Sequence, residues 1–563
     1  MTFDKHVDLL VIGSGAGALT GGARAAQAGA EVLVVEKGRR WGGTSATSGG
    51  GIWIAGSHLA AQAGQADDLE DAFRYIRALT DANVEDSLVR AYVDNGHRML
   101  RWATDEAHIQ FAALPYPDYY PETPGSRDGF RTHLTGNYFD AREMEPDAFN
   151  TMNTASPAAS LWGRINWLFH ETFIAMFRPK GWWKTVGIMV GRYALDVPQR
   201  FRNSSDRRLT MGTAVTGWLR KAFDDAGGTL WLESPMVSLI EEGGRVTGAV
   251  VRHEGKDLRI GARRGVLLAA GGFERNAALR QANLPAAHAP IASGGIVQNE
   301  GDALIAAQAL GADTRNLDAA WWGPMFRVPG EDRSRLATME RALPFSIVVN
   351  QKGKRYANEA LAYHRFAEAM IAANSAESPT DPSWFVFDAR YRFRYPAGAV
   401  IPLMPDWMLA PGVREVLRKA PTIAELARQI DIDPAALTET VERFNGFVRA
   451  GEDADFGRGK LSYDKLYGDA RQQPNPNLGA IEDAPFYALP LHVGDIGTSG
   501  GLLTDERGRV KRTDGSVIPG LYAAGNVAAS VMGHSYPGAG STLGPAMTFA
   551  YLAAGDALGI NEA

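Results

Sequence analysis

The chain has 563 residues, 45% hydrophobic and 22% charged, the proportions of a folded globular protein with room for roughly two to four domains. It contains no cysteine, which excludes disulfides, thiolate metal sites, iron–sulfur clusters and thiol catalysis together. A net charge of −6 makes it no electrostatic match for nucleic acid, and eleven scattered histidines without paired spacing give no reason to expect a metal.

Val7 to Val11 is an apolar run of buried-strand type. It leads into Gly13-Ser14-Gly15-Ala16-Gly17-Ala18, then an Ala-rich helix predicted to run to about Gly29, then a strand over Val32 to Val35 that ends at Glu36. Strand, glycine turn, helix, strand and acid make a βαβ unit. Apolar spacing predicts helix from Leu69 to Ala107 and from Gly212 to Ala226, and strand from Thr229 to Leu239. Ser238 to Arg252 alternates and turns at Glu242-Gly243-Gly244, a hairpin signal. Gly265 to Gly272 reads as a buried strand ending in glycines. Composition changes near Trp321. A strand over Ser346 to Asn350 is followed by predicted helices to about residue 450, and glycine-rich strands return from Gly494 before a last helix over Leu543 to Ala554. The expected architecture is α/β: a discontinuous nucleotide-binding domain, residues 1–321 and 497–563, split by an inserted α+β catalytic domain over 322–496. No basic-then-apolar leader precedes the first strand, and no run of about eighteen apolar residues occurs, so a cytoplasmic location is expected.

One segment, Leu161 to Arg202 within an insertion at about 157–205, stands apart. It holds Trp162, Trp167, Trp182 and Trp183, four of the thirteen tryptophans. Arg164, Arg178, Lys180, Lys184, Arg192, Arg200 and Arg202 face only Glu171 and Asp196 in charge, a local excess of +5 in an acidic chain. Aromatic, basic and apolar residues at helical spacing suit an interfacial helix; the alternative is a helical hairpin packed on the domain with its Arg stems reaching water. The expectation leans to peripheral contact with the inner face of the cytoplasmic membrane.

The glycine turn has specific physics. Gly13 permits a tight turn, Gly15 lets the backbone approach a pyrophosphate, Ala18 allows close helix–strand packing, and the helix start offers free N–H groups to phosphate. Glu36 is placed to accept from the ribose hydroxyls of an adenosine. Three further features shift the cofactor from nicotinamide to FAD. Glu36-Lys37 is followed by Gly42-Gly43-Thr44-Ser45 and Ser48-Gly49-Gly50, a second donor-rich loop. The strand ending at Ala270-Gly271 returns to the cofactor. Near the end, Gly525-Asn526 precedes Ser541-Thr542-Leu543, a helix N-terminus suited to the pyrimidine edge of a flavin. Val237 completes the expected cofactor set.

With these residues in place, the chain resembles the 3-ketosteroid Δ1-dehydrogenases, flavoenzymes related in fold to the fumarate reductase flavoprotein. The resemblance rests on Gly13-Ser14-Gly15, Gly42-Gly43-Thr44-Ser45, Pro117-Asp118-Tyr119-Tyr120, Asn358-Glu359-Ala360-Leu361-Ala362-Tyr363, Gly497-Thr498-Ser499-Gly500-Gly501 and Tyr536-Pro537-Gly538-Ala539-Gly540. It covers nearly the whole chain except Leu161 to Arg202, and the insertion suggests the subgroup acting on cholest-4-en-3-one and other side-chain-bearing steroids. The resemblance implies that Tyr363 is the general base at steroid C2 and that Tyr119 hydrogen-bonds it and relays the proton. It also implies that the Tyr536 hydroxyl and the Gly540 N–H hold the C3 carbonyl. Ala362 departs from the family, where a proline is common. Tyr116 and Tyr487 lie near the motifs and are read as pocket wall and packing residue.

These residue types suit the chemistry. A C–H beside a ketone is acidified when its carbonyl oxygen receives hydrogen bonds, because negative charge develops there. A tyrosine, with an ordinary pKa of about 10, serves as base only when a neighbour stabilises its anion. The C1 hydride then passes to the flavin, and an external electron acceptor, a quinone if the insertion touches a membrane, reoxidises it. Rival readings are a 3-ketosteroid Δ4-dehydrogenase, a fumarate-reductase-like enzyme, or a membrane-bound steroid-binding flavoprotein without turnover. Gly533-His534-Ser535-Tyr536 puts tyrosine where a dicarboxylate site would need cations.

Overall fold

A computed structural model describes residues 2–156, 160–161, 163–285 and 291–560. Residues 157–159 and Trp162, part of the expected insertion, lie outside the described residues.

The first βαβ unit forms as its pattern dictates. Strand β1 (Lys5–Ile12) ends in fully apolar positions, helix α1 (Ala16–Gln27) buries all but its last residue, and β2 (Val32–Val35) is buried throughout. A helix of 12 residues that includes Gly17, Gly21 and Gly22 has low intrinsic stability, so close packing must hold it. Gly17 and Gly21 lie against Ala546 and Ala550 of the last helix. Two helices of the insertion follow, α2 (Phe169–Phe177) and α3 (Trp182–Leu195).

The chain then builds β3 (Thr229–Trp231), β4 (Met236–Glu242), β5 (Arg245–His253) and β6 (Lys256–Leu268). The predicted single strand from Thr229 to Leu239 is two, interrupted around Pro235, which lacks the N–H a ladder needs. The hairpin turns at Gly243-Gly244 as expected. Predicted helix from Leu69 to Ala107 is also two, Leu69–Leu79 and Asp86–Asp105, because Asp81 in the gap receives the His534 N–H from the far end of the chain.

A second sheet occupies the inserted region. It uses β7 (Ala320–Phe326) and β8 (Ser346–Val349), then, after helix α4 (Tyr363–Ala373), β9 (Ser383–Phe387) and the long β10 (Phe486–Thr498). The order is β7-β10-β9-β8, antiparallel throughout, with short strands at Arg335–Leu336 and Arg418–Ala420 on its margins. The expected borders at 321/322 and 496/497 fall inside β7 and β10, which carry the chain out of and back into the first domain. Strands β9 and Arg418–Ala420 sit where helices were predicted, since short apolar runs do not reveal a period.

On return, β11 (Val517–Ala523) completes the first sheet. Its order is β3-β2-β1-β6-β5-β4; β6 pairs antiparallel with β5 along its first half and parallel with β11 through Val266–Leu268. Helix α5 (Leu543–Leu558) then packs on α1. The parallel strands β2, β1, β6 and β11 point their C-terminal ends to one rim, where ligands of open α/β sheets bind.

Candidate active site

The rim holds a cradle built from the expected cofactor residues. Gly13 has φ +102°, and a Cβ there would lie 2.4 Å from the Ala269 carbonyl oxygen, so only glycine allows β1 and β6 to close. The Ser14 hydroxyl donates to Glu36 (2.6 Å) and accepts from the Gly42 N–H (3.0 Å). The Gly38 N–H donates to the other Glu36 oxygen at 2.8 Å. Burial raises the Glu36 pKa, and the Ser14 and Gly38 hydrogen bonds oppose that rise. The Ser45 hydroxyl accepts from the Ala16 N–H at 3.0 Å, so Ser45 sits at the mouth of α1, where Gly15, Gly17 and Ala18 begin the helix. Gly43 lies directly over Gly15.

The Thr44 hydroxyl accepts from Ile296 N (3.2 Å) and Asn299 Nδ2 (3.1 Å). Ser48 accepts from the Gly50 N–H, and Gly49 has open space beside it. Ala270 and Gly271 follow β6, with Gly271 against Asn299. Asn526, after Gly525, accepts from Trp321 Nε1 at 3.1 Å. Ser541 donates to the Gly538 carbonyl at 2.8 Å, and Thr542 and Leu543 open α5. Lys37 is committed to Glu300 (2.7 Å) and Asp302 (2.5 Å), which leaves its main chain for the cradle. Val237 is exposed on the edge strand β4, close in sequence to Ser234, whose N–H donates to the Glu36 carbonyl. Small residues, a free helix start and a pre-oriented carboxylate suit a dinucleotide, and FAD fits.

Between this cradle and the second sheet lies a buried cluster of tyrosines. Tyr363 is the first residue of α4; its ring centroid is 5.6 Å from Tyr119 and 5.3 Å from Tyr536, while Tyr119 stacks on Tyr536 at 5.4 Å. Burial raises Tyr363 well above its ordinary value, and the charge and hydroxyl of Tyr536 add to the rise; the Tyr119 hydroxyl works against them. Burial likewise raises Tyr536, while the Tyr363 and Thr542 hydroxyls and the Gly540 N–H pull it down. The three rings of Tyr119, Tyr363 and Tyr536 therefore form one buried cluster. Ala362, at φ −50°, occupies nearly the torsion that a proline would impose, so the family's proline is dispensable to the loop.

The loops bearing these groups are tied together. The Tyr119 N–H and the Tyr75 hydroxyl both donate to the Pro537 carbonyl, at 2.8 and 2.7 Å. Trp53 donates from its backbone to the Gly540 carbonyl (3.2 Å) and from its indole to Asp118 (2.7 Å), and Asp118 also accepts from Arg131 at 3.0 Å. Arg365 of α4 donates to the Tyr119 carbonyl at 3.0 Å, and His364 Nε2 lies 2.9 Å from the His534 carbonyl. A carbonyl only accepts, so His364 carries hydrogen on Nε2 there.

The structure adds residues that no motif announced. The Tyr463 ring is 5.0 Å from Tyr119, and Tyr467, one helical turn on, pairs hydroxyl to hydroxyl with Tyr116 at 2.6 Å. Their four-residue spacing is the available sequence signal, and it is common in any helix. Tyr116 lines the site as expected, and Tyr487 packs flat on Phe387 at 5.4 Å, away from it. Trp321 meets Tyr536 edge-on at 5.2 Å.

A strip of rings continues from the cluster: Tyr119, Tyr116, Phe169, Phe173, Phe177 and the buried Tyr395, with successive centroids 5.0–6.4 Å apart. Three of the six lie on α2, so the insertion supplies wall to the site. It is fastened by Arg208–Glu171 (2.8 Å) and by Arg178 donating to the Phe393 and Arg394 carbonyls (3.1 and 2.9 Å). Among the described residues, no helix is long and apolar enough to cross a membrane and no cluster could hold a metal ion.

Comparison with known proteins gives the family. The FAD binding domain family matches residues 8–543. A 3-oxosteroid 1-dehydrogenase of Mycobacterium tuberculosis (strain ATCC 25618 / H37Rv) is 38% identical over 98% of this chain and 98% of its own. A 4-oxocyclohexanecarboxylate 2-dehydrogenase of Sinomonas cyclohexanicum is 37% identical over 99% of this chain and 94% of its own. The crystal structure of a 3-ketosteroid delta1-dehydrogenase from Sterolibacterium denitrificans, in complex with 1,4-androstadiene-3,17-dione, superposes with TM-score 0.92 and 39% identity over 99% of this chain and 100% of that one.

Proposed function

The chain belongs to the FAD binding domain family and, within it, to the FAD-dependent 3-oxosteroid 1-dehydrogenases, and we propose that Tyr363, Tyr119, Tyr536 and Gly540 carry out its 1,2-desaturation of 3-ketosteroids. The carrying observation is the packing of the buried Tyr363, Tyr119 and Tyr536 rings on one another, centroids 5.3–5.6 Å apart, with Gly540 in the loop that follows Tyr536 beside the cofactor cradle. The Tyr536 hydroxyl and Gly540 N–H donate to the C3 oxygen, where negative charge grows as C2 loses its proton. Tyr363 accepts that proton, and Tyr119 donates to Tyr363 while it is the anion. The Gly13–Ala18 turn, Glu36, the Gly42–Ser45 and Ser48–Gly50 loops and the start of α5 would hold FAD, which would supply the two-electron acceptor for the hydrogen leaving C1. Water is excluded by the rings of Tyr116, Tyr463 and Trp321.

The test is Tyr363→Phe in the FAD-loaded protein with androst-4-ene-3,17-dione under anaerobic conditions. Flavin bleaching should slow by about 10²–10⁴-fold with FAD fully retained. Bleaching at the normal rate would remove the base assignment. No bleaching of the unaltered protein by any 3-ketosteroid, with bleaching by 4-oxocyclohexanecarboxylate, would move the substrate class.

The ring strip supports a substrate longer than four fused rings, cholest-4-en-3-one among them, entering from the insertion side. Thirteen large apolar side chains are exposed among the described residues. Five lie on the insertion, led by Phe201 (88%) and Leu195 (80%), and four more, Phe393, Leu403, Trp407 and Met408, on the neighbouring loop of the catalytic domain. Apolar tips amid an excess of basic residues suit an anionic bilayer surface, from which a sterol and a quinone acceptor would both be drawn. Vesicles of phosphatidylglycerol and phosphatidylcholine should co-sediment the protein. The pair Phe201→Glu and Trp407→Glu should release it while turnover of androst-4-ene-3,17-dione stays normal. Failure of the unaltered protein to bind would end this part of the proposal.

A further inference from the structure

The first turn of α4 sends three consecutive side chains to three different places, because successive positions on a helix lie about 100° apart. Tyr363 enters the tyrosine cluster. His364, wholly buried, meets the His534 carbonyl at 2.9 Å, two residues before Tyr536. Arg365 reaches the loop that carries Tyr119. Its Nη1 donates to the Tyr119 carbonyl at 3.0 Å, and Nη1 and Nη2 bind the Glu122 carboxylate at 3.2 and 2.5 Å. The same guanidinium lies 4.7 Å from the centre of the Tyr120 ring.

Tyr119 sits between two peptide units, and both are held. The one before it is fixed by its own N–H, which donates to the Pro537 carbonyl at 2.8 Å, one residue after Tyr536. The one after it, joining Tyr119 to Tyr120, is gripped at both ends. Arg365 holds its carbonyl, and its N–H donates to the Tyr75 hydroxyl at 3.2 Å. That hydroxyl in turn donates to Pro537 at 2.7 Å. A peptide unit is planar, so bonds at its two ends fix its rotation and with it the torsions that aim the Tyr119 ring. Arg365 makes this hold from α4 itself. The ring that supports the base is thereby indexed to the helix that carries the base. An ion pair to Glu122 is a weaker reason for an arginine here: the two side chains are 20% and 48% exposed, and exposed pairs contribute little to stability. A charged donor on a main-chain carbonyl is the stronger contact.

We propose that Arg365 is a positioning residue for the desaturation: its bond to the Tyr119 carbonyl holds the Tyr119 ring in register with Tyr363, two residues before it on α4. Its influence on the reaction passes through Tyr119. When C2 gives its proton to Tyr363, the barrier depends on Tyr119 being in place beside the base, and a displacement of about 1 Å in such a group can cost about 10²-fold. Without Arg365 the carbonyl end of the 119–120 peptide is free to turn, while Tyr75 still holds the N–H end, so the loss is smaller than that extreme. Because Arg365 and Glu122 both reach solvent, removing the arginine leaves no buried carboxylate unpaired, and the fold and the FAD cradle are left intact.

This inference rests on Tyr363 as base and Tyr119 as its partner, and a double-mutant cycle separates its failure from theirs. The measurement is anaerobic flavin bleaching by androst-4-ene-3,17-dione in the FAD-loaded protein, with FAD content and thermal midpoint recorded for each variant. Arg365→Met should lower the limiting rate about tenfold while the half-saturating steroid concentration changes by less than about twofold. In the Tyr119→Phe background the same change should cost less than about twofold, because the group it positions is already gone. Glu122→Gln, which leaves the carbonyl contact in place, should stay within about threefold of normal. If Arg365→Met does not retain flavin, Arg365→Gln takes its place in the cycle. A limiting rate in the Arg365 variant within about twofold of normal, losses that multiply in the Tyr119→Phe background, or a Glu122→Gln protein as slow as the Arg365 variant each overturn the proposal. Undiminished bleaching in Tyr363→Phe or in Tyr119→Phe alone would instead overturn the roles given to those tyrosines.

Discussion

Replacing Gly540 by alanine isolates the main-chain half of the proposed clamp on the ketone oxygen. Gly540 has φ +104°, and an added Cβ would lie 2.4 Å from the carbonyl carbon of Ile52, 2.5 Å from its Cα and 2.6 Å from its nitrogen. All three atoms belong to a strand locked to Thr132–Thr135, so they cannot yield as a side chain would. The Gly540 loop must therefore withdraw by about 1 Å, and the left-handed backbone adds about 1–2 kcal/mol of strain. A donor displaced that far no longer meets the oxygen, and loss of one such donor costs about 10²–10³-fold in kcat. Gly515→Ala is the control: its φ is +84°, but nothing lies within 4 Å of the added methyl. We expect Gly540→Ala to slow anaerobic flavin bleaching by about 10²-fold or more with a smaller change in KM, and Gly515→Ala to bleach normally. FAD content is measured in both. A Gly540→Ala enzyme within about threefold of normal kcat, or an equal loss in Gly515→Ala, would refute the reasoning.

Glu359→Gln removes one anion from a buried set in which Arg355 binds both Glu359 and Asp453 (2.7 and 2.8 Å); urea unfolding should show a loss of about 3–5 kcal/mol, and an unchanged midpoint would count against the network. His133 is fully buried, with its ring nitrogens 2.9 Å from the Arg131 carbonyl and 2.7 Å from the Ser57 hydroxyl, and burial pushes its pKa down to about 4. Its folded value lies below the ordinary 6.5, so the stability it contributes is present above pH 6.5 and lost as pH falls toward 4, about 3 kcal/mol in all. Unfolding midpoints at pH 7.5, 5.5 and 4.5 should fall less steeply in His133→Asn than in the unaltered protein, and parallel curves would exclude the effect.

The two domains differ in how plainly their chemistry is written. Gly13, Ser14, Glu36 and Ser45 lie within a short stretch whose strand, turn and helix follow from local periodicity, so the cradle could be read before any contact was known. Ser14 bonding both Glu36 and Gly42 completes that reading. Tyr119, Tyr363 and Tyr536 came from resemblance, since a single tyrosine in a loop carries no spacing that distinguishes a base from a core ring. Tyr463 carried no signal at all. It is an ordinary residue in a short helix, and its meaning lies in Tyr116 and Tyr119, hundreds of positions away.

What the amino-acid order determined alone is the nucleotide domain, its acid and its glycine turn, because those depend on contacts a few residues apart. The absence of cysteine likewise settled at once that thiols take no part. Tertiary structure decided the rest: that Pro537 joins Tyr75 to Tyr119, that Ile52 fixes Gly540, and that α2 of the insertion extends the wall of the site. The reason is physical. A proton leaves a carbon beside a ketone only where oxygen donors, base and the stabiliser of that base converge within hydrogen-bonding reach, and in this chain Tyr119, Tyr363 and Tyr536, proposed for those roles, lie far apart in sequence until the fold packs their rings together.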